Sequence, residues 1–272
     1  MPTPYIPARL HVFLAREAPT ALILRRGPSK QVCTIGWDRT DDTFQLGQWL
    51  KGRIYEHRCD LSPDGRHFLY MASKQQDWNK PDRATAWTAV SRAPYLKAVA
   101  FWEQDSTYGG GGQFLGDRLT YRDDVQSGVL EGPANLSHPS LPYLWNDIHL
   151  EKYHFRLRRE GWQKRDARSS DTNADLWEKE RNGWTLQQFV HADLEPPVGR
   201  GVEWQWVQAQ DLSTGETLGD QSWEWADFDG DRLVWAQAGK LFATPIWDGG
   251  HGDILELADF NDWTFQAVQA PY

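Results

Sequence analysis

The stretch SPDGRHFLY, residues 62–70, sets a Pro-Asp-Gly turn directly ahead of a run of apolar and aromatic residues. Aspartate caps such a turn with its own side chain, and glycine supplies the positive φ that closes it. Two other segments share the form, FLGDRLTY at 114–121 and DFDGDRLVW at 227–235. Aligned on Gly65, Gly116 and Gly230, each gives a tight acidic turn, a basic residue and an apolar strand ending in Tyr or Trp. Gly65 and Gly116 are 51 residues apart; Gly116 and Gly230 are 114 apart, close to twice that, and RNGWTLQQF around Gly183 fills the interval as a degenerate copy.

A period of about 50 residues with about four strands per unit is what propeller blades produce. The SPDGRHFLY segment resembles the repeat of TolB-type and WD40-like β-propellers, whose blades carry a Ser-Pro-Asp-Gly turn, a basic residue and an apolar strand. The full motif occurs in one repeat, and the Gly-His and Trp-Asp pairs of WD repeats are not present in register. The resemblance implies fold and leaves function open, because propellers host catalysis, binding and scaffolding alike.

Helical periodicity is scarce, whereas short β-branched or aromatic runs bounded by turn residues recur, among them TALILRR (20–26), HFLYMAS (67–73), YHFRLRR (153–159) and VEWQWVQA (202–209). The expectation is an all-β chain, a single β-propeller domain over residues 1–272, with about five blades and four to six compatible with the length. The last runs of DILELADFNDWTFQAVQAPY (253–272) are expected to pair near the N-terminal strand HVFLAR, so that the termini close one blade.

Composition is that of a soluble globular chain, 40% hydrophobic and 25% charged, with 16 tryptophans that suit half-buried sheet surfaces. No apolar run reaches membrane-spanning length, and the first residues lack the basic and apolar regions of a secretory signal. Two cysteines, Cys33 and Cys59, do not make a disulfide framework, so reduced thiols in a cytoplasmic protein are expected.

Charge is uneven. Residues 201–272 carry 13 acidic residues against Arg232 and Lys240, a net of −11, whereas KYHFRLRREGWQKRDAR (152–168) holds seven Lys and Arg against Glu160 and Asp166. The basic segment is expected to be a solvated strand whose Arg156, Arg158, Arg159 and Trp162 anchor a protein partner; nucleic acid is not the expected partner.

The aspartates Asp227, Asp229 and Asp231 invite a calcium reading. An EF-hand loop starting at Asp227 needs glycine at its sixth position and glutamate at its twelfth, where Arg232 and Ala238 stand, so a hairpin turn is expected instead. Glycosidase chemistry needs two convergent carboxylates; Asp38, Asp60, Glu103, Glu203 and Glu224 are the candidates, with turn or surface roles as the default. His149 and His154 would point to opposite faces of a strand, and no HExxH, G-x-S-x-G or phosphate-loop motif occurs. The run from Tyr108 through Gly112 lacks a lysine and leads into a strand. The tryptophans of WQW (Trp204, Trp206) and WEW (Trp223, Trp225) read as packing first and as a ligand platform second. No metal and no cofactor are expected. The functional expectation is a non-catalytic binding or scaffold module for a protein partner, with a glycoside hydrolase as the alternative.

Overall fold

The computed structural model describes residues 6–27, 31–74, 86–104, 107, 109–115, 118–121, 127–128, 148–165, 174–193, 195–196 and 201–272. The chain divides into two compact units, one built on residues 12–156 and 263–272, the other on residues 7–11 and 157–262.

In unit 1 the strands β1 (Arg9–Leu14), β2 (Thr20–Arg26), β3 (Gln31–Asp38) and β4 (Thr43–Lys51) form a sheet in chain order, with residues 9–11 of β1 grouping with unit 2. A second sheet takes β5 (Arg53–Ile54), β6 (Asp60–Leu61), β7 (His67–Ser73), β8 (Ala86–Arg92) and β9 (Ala98–Gln104). There follow a two-stranded pair, β10 (Gly112–Leu115) with β11 (Arg118–Tyr121), and the two-residue β12 (Ser127–Gly128), which pairs with β9.

Strand periodicity of two explains the core. Along β7, Phe68, Tyr70 and Ala72 meet Phe13, Leu22 and Leu24 of the first sheet, while Leu69 packs with Val90, Trp102 and Phe114 in a separate cluster. Phe13 and Phe68 lie 5.5 Å apart, centroid to centroid. Each ring buried this way contributes roughly 1.5–3 kcal/mol. The SPDG turn feeds β7 as its chemistry dictates: the Gly65 N–H donates to Ser62 O at 2.9 Å, Gly65 sits at φ +72°, and Asp64 accepts from the Arg66 N–H.

The helix α1 (Ile148–Arg159) replaces the strand expected over 153–159. Leu150, Tyr153, His154 and Leu157 are all buried, the i, i+3, i+4, i+7 pattern of a helix face. Its end is a Schellman cap: Trp162 N–H donates to Leu157 O, Gly161 N–H to Arg158 O, and Gly161 takes φ +90°.

Unit 2 holds two sheets. One runs β13 (Gln163–Arg165), β14 (Ala174–Arg181), β15 (Trp184–Ala192), β16 (Glu203–Asp211) and β17 (Thr217–Leu218). The other runs β18 (Trp223–Asp229), β19 (Arg232–Gln237), β20 (Lys240–Trp247) and β21 (Gly250–His251), with β22 (Leu255–Asp259) also paired to β20. The hairpins β14–β15 and β19–β20 turn on Asn182-Gly183 and Ala238-Gly239, all four residues at positive φ, the two-residue loop that matches strand twist. Trp184 is fully buried at the start of β15 and donates its indole N–H to Trp247 O and Gly250 O.

The chain is thus all-β in a propeller-like arrangement of sheets, with four multi-stranded meanders among the described residues where about five were expected. Gly65, Gly183 and Gly230 lead into β7, β15 and β19, each in a different sheet. Gly116 lies outside the described residues. Between β9 and β13 the described residues supply the β10–β11 pair, β12 and α1. The expected closure of the termini into one sheet is also corrected: β1 belongs to the sheet of β2–β4, whereas the last strand, β22, pairs with β20. No helix of the described residues is long and apolar enough to cross a membrane.

Candidate binding cleft

The residues singled out in the sequence are occupied mainly by the fold itself. Arg156 is 3% exposed; its guanidinium donates to Glu56 O and Cys59 O and lies over the rings of Phe13 and Tyr153. Trp162 is equally buried as the capping residue of α1. Neither offers a surface to a partner, which corrects the expected set of anchors. Arg158 is exposed with its guanidinium 5.5 Å from the Trp177 ring centroid, and Arg159 faces Glu160 at 3.5 Å. The basic segment fails as a solvated strand because a helix turns one side of it inward.

The candidate carboxylates likewise have local work. In unit 1, Asp38 is exposed and accepts from the Thr40 N–H, Asp60 is buried and accepts from the Leu61 and Phe114 N–H groups, and Glu103 is exposed on β9 opposite Trp87. In unit 2, Glu203 is half-buried; Glu224 is displaced by a bulge in β18 and accepts from the Leu10 N–H, 4.0 Å from Arg9. Asp227 pairs with Lys179, Asp229 with Arg232, and Asp231 accepts from the Asn182 amide. No group of three His, Cys, Asp or Glu arranged to hold a metal occurs among the described residues. His154 lies on the buried face of α1, and the His149 side chain is outside the described set, as is Tyr108. The glycine run is drawn inward: Gly111 N–H donates to Thr88 Oγ1, and Arg58 and Lys152 donate to the carbonyls of Gly109 and Gly110.

The tryptophan pairs sort by register. Trp204 stacks on its partner His191 at 3.7 Å and Trp206 on Phe189 at 4.0 Å, so WQW packs across β15 and β16. Trp223 of WEW stacks on Trp235 at 4.6 Å and 13°, and Trp235 stacks in turn on Phe242, making a three-ring ladder across β18, β19 and β20.

One end of this ladder opens into a cleft of about 280 Å³ within unit 2. Trp223, Trp235 and Leu218 give it an apolar floor, and Ile254, 53% exposed, stands at its edge beside the 61% exposed Leu255. The loop between β17 and β18 supplies Gly219 and Asp220. Gly219 is at φ +84°, and a Cβ there would fall 2.5 Å from the Trp223 ring, so only glycine lets the loop lie on the indole. Asp220 Oδ1 accepts from the Ser222 hydroxyl and N–H, which hold its carboxyl below the usual range and therefore ionised at neutral pH. Gln237 closes the rim by donating to Ser222 Oγ at 2.7 Å.

Asp220 is the single titratable side chain among the described residues that line the cleft. The cleft can bind, orienting a ligand by one fixed negative charge against apolar and aromatic walls. Of its residues the sequence pointed to Trp223 as part of WEW and to Trp235 as the aromatic end of DFDGDRLVW; Leu218, Gly219, Asp220, Gln237 and Ile254 share no local pattern.

No protein-family model matches the chain, and no curated protein matches it. Among solved structures the chain is similar to the uncharacterized protein lmo1340 from Listeria monocytogenes EGD-e, at 7% identity over 93% of this chain and 67% of that one, with a TM-score of 0.27. A likeness that weak carries no argument about this chain.

Proposed function

We propose that the protein is a non-catalytic binding module for a protein partner, working through the Trp223–Trp235 cleft. The observation that carries the reading is the make-up of that cleft: an apolar floor, exposed Ile254 and Leu255 at its edge, and one ionised carboxylate. Interfaces and ligand clefts are built this way, from aromatic and aliphatic contact area around a few placed polar groups. The reading moves the expected partner site away from Arg156 and Trp162. A cytoplasmic setting suits the two free, buried cysteines, with burial pushing the Cys33 thiol up to about 12 and leaving it inert as a nucleophile. The TolB-like or WD40-like kinship drawn from the SPDG turn stays part of this proposal.

The test is selection from a displayed random-peptide library on the full chain and on Ile254→Ser. Sequences that enrich on the wild type and not on the variant, at equal melting temperatures, support the cleft. Equal enrichment on both proteins rejects it. Turnover of a chromogenic glycoside that vanishes in Glu224→Gln would replace the binding reading with the hydrolase one.

A further inference from the structure

We propose that the cleft takes an extended basic peptide, seating one apolar side chain against Trp223 and Ile254 while a neighbouring lysine or arginine meets Asp220. The proposal rests on the binding reading above and adds the chemistry of the ligand.

Electrostatics selects a cation. Residues 201–272 carry a net charge of −11, and their two basic residues are already engaged: Arg232 pairs with Asp229 at 2.8 Å, and Lys240 contacts Glu256 at 2.9 Å and Asp259 at 3.3 Å. Asp220 keeps its carboxylate exposed, with Oδ1 fixed by Ser222, and Asp253 is exposed next to Ile254. A field of one sign focused on a cleft raises the local concentration of oppositely charged ligands.

The aromatic groups point to a ligand with an apolar side chain and not to a bare ion. Trp223 is 4% and Trp235 3% exposed, and their rings stack at 4.6 Å beside the cleft they line. Aromatic-lined grooves read extended peptide segments in this way.

Setting favours a peptide over a small molecule. The cleft, about 280 Å³, has room for one or two side chains of a longer ligand. Ile254 leads directly into β22, which among the described residues pairs with β20 alone, and an outer strand is where an extended peptide finds main-chain partners.

The experiment measures fluorescence anisotropy of two labelled peptides, one alternating leucine with lysine and one alternating leucine with glutamate. They are titrated with the full-length wild type, Asp220→Asn and Asp220→Lys. The lysine peptide should bind the wild type, weaken with added salt, lose about threefold in affinity with D220N as an exposed ion pair does, and bind D220K worst. D220K should in return gain affinity for the glutamate peptide, a reversal that a merely structural role for Asp220 cannot give. Equal binding of the lysine peptide to all three proteins overturns the inference. If the glutamate peptide binds the wild type better, and Ile254→Ser abolishes that binding, the basic-ligand inference falls while the binding reading stands. If neither peptide binds and library selection also fails, both fall.

Discussion

Lys179 Nζ lies 2.6 Å from Asp227 Oδ1, joining β14 to β18 with side chains only 19% and 9% exposed. The same oxygen accepts the Phe228 N–H, and the Lys179 ammonium lies 5.7 Å from the centroid of the Trp162 ring. Removing one member of so enclosed a pair leaves the other charge without its counter-ion, at a cost of about 3 kcal/mol. Lys179→Met and Asp227→Asn should each lower the urea midpoint substantially, and the double variant should recover part of the loss. A double variant that is simply the sum of the singles would show that the two charges do not act as a pair.

The same contact answers the calcium question. Asp227, Asp229 and Asp231 follow one another at alternate positions, but Lys179, Arg232 and Asn182 hold them separately. A cation would have to displace all three partners to gather the three carboxylates. Melting curves with calcium and with chelator should overlay, and a shift of several degrees at micromolar calcium would contradict the arrangement.

Glycines 65 and 230 close turns that look alike in the sequence, yet they face different surroundings. Both have positive φ, +72° and +62°. A Cβ at Gly65 would fall 2.0 Å from Thr20 Oγ1 and 3.2 Å from the Ala15 Cβ, whereas one at Gly230 meets nothing within 4 Å. Gly230→Ala should therefore cost about 1 kcal/mol, the strain of a left-handed residue alone. Gly65→Ala should cost clearly more, and Thr20→Ala should relieve part of it, since that hydroxyl has no hydrogen-bond partner to lose. Equal costs at the two glycines, read from urea midpoints, would refute the packing difference.

That contrast also shows what the sequence could reveal. Turn chemistry is local, so Asp64-Gly65, Asn182-Gly183 and Asp229-Gly230 were legible as turns. The number of meanders was not, because it depends on which strands pair, and the stretch between Gly65 and Gly183 spends its residues on α1 and the β10–β11 pair. The segment YHFRLRR alternates well enough to read as a strand, and only the spacing of Leu150, Tyr153, His154 and Leu157 exposes the helix. The cleft was illegible for a different reason. Leu218, Asp220 and Ile254 join Trp223 and Trp235 through sheet packing, and nothing local marks them.

Asp64 lies within the SPDG turn and His67 just after it, and folding lowers the pKa of both. Burial lowers the His67 pKa from its ordinary 6.5, and nearby Arg92 and Arg66 add to this against Asp64. Its neutral form is favoured by folding, so the associated stability is complete above pH 6.5 and is lost as pH falls through the lower folded value. Burial raises the Asp64 pKa, but hydrogen bonds from Ser62 and Arg66 outweigh it and set the value below 3.8. The Asp64 contribution is therefore intact at neutral pH and lost only in stronger acid. Urea midpoints should be flat above about pH 7 and fall in two stages on acidification. His67→Gln should flatten the first stage alone, and an unchanged profile in that variant would remove His67 as its source.

Arg156 provides the last prediction, because its sequence setting and its structural setting call for opposite outcomes. As an exposed member of a basic strand it could be reversed with little effect on folding. Instead, its guanidinium donates to Cys59 O at 2.7 Å and Glu56 O at 3.1 Å and rests between Phe13 and Tyr153, tying α1 to the 3-10 turn at Glu56–Arg58 within unit 1. Arg156→Met keeps most of the apolar contact but strips the donors from two carbonyls, which should cost about 3 kcal/mol, the sum of two charge-assisted hydrogen bonds at the lower end of their range. Arg156→Glu places an acceptor against those acceptors and should prevent stable folding at 37 °C. Arg158→Glu, at an exposed position on the same helix, should stay within about 0.5 kcal/mol of wild type, apart from its contact with Trp177. Circular dichroism melts of the three variants decide the matter: Arg156→Glu and Arg158→Glu proteins that melt alike would put Arg156 back on the surface.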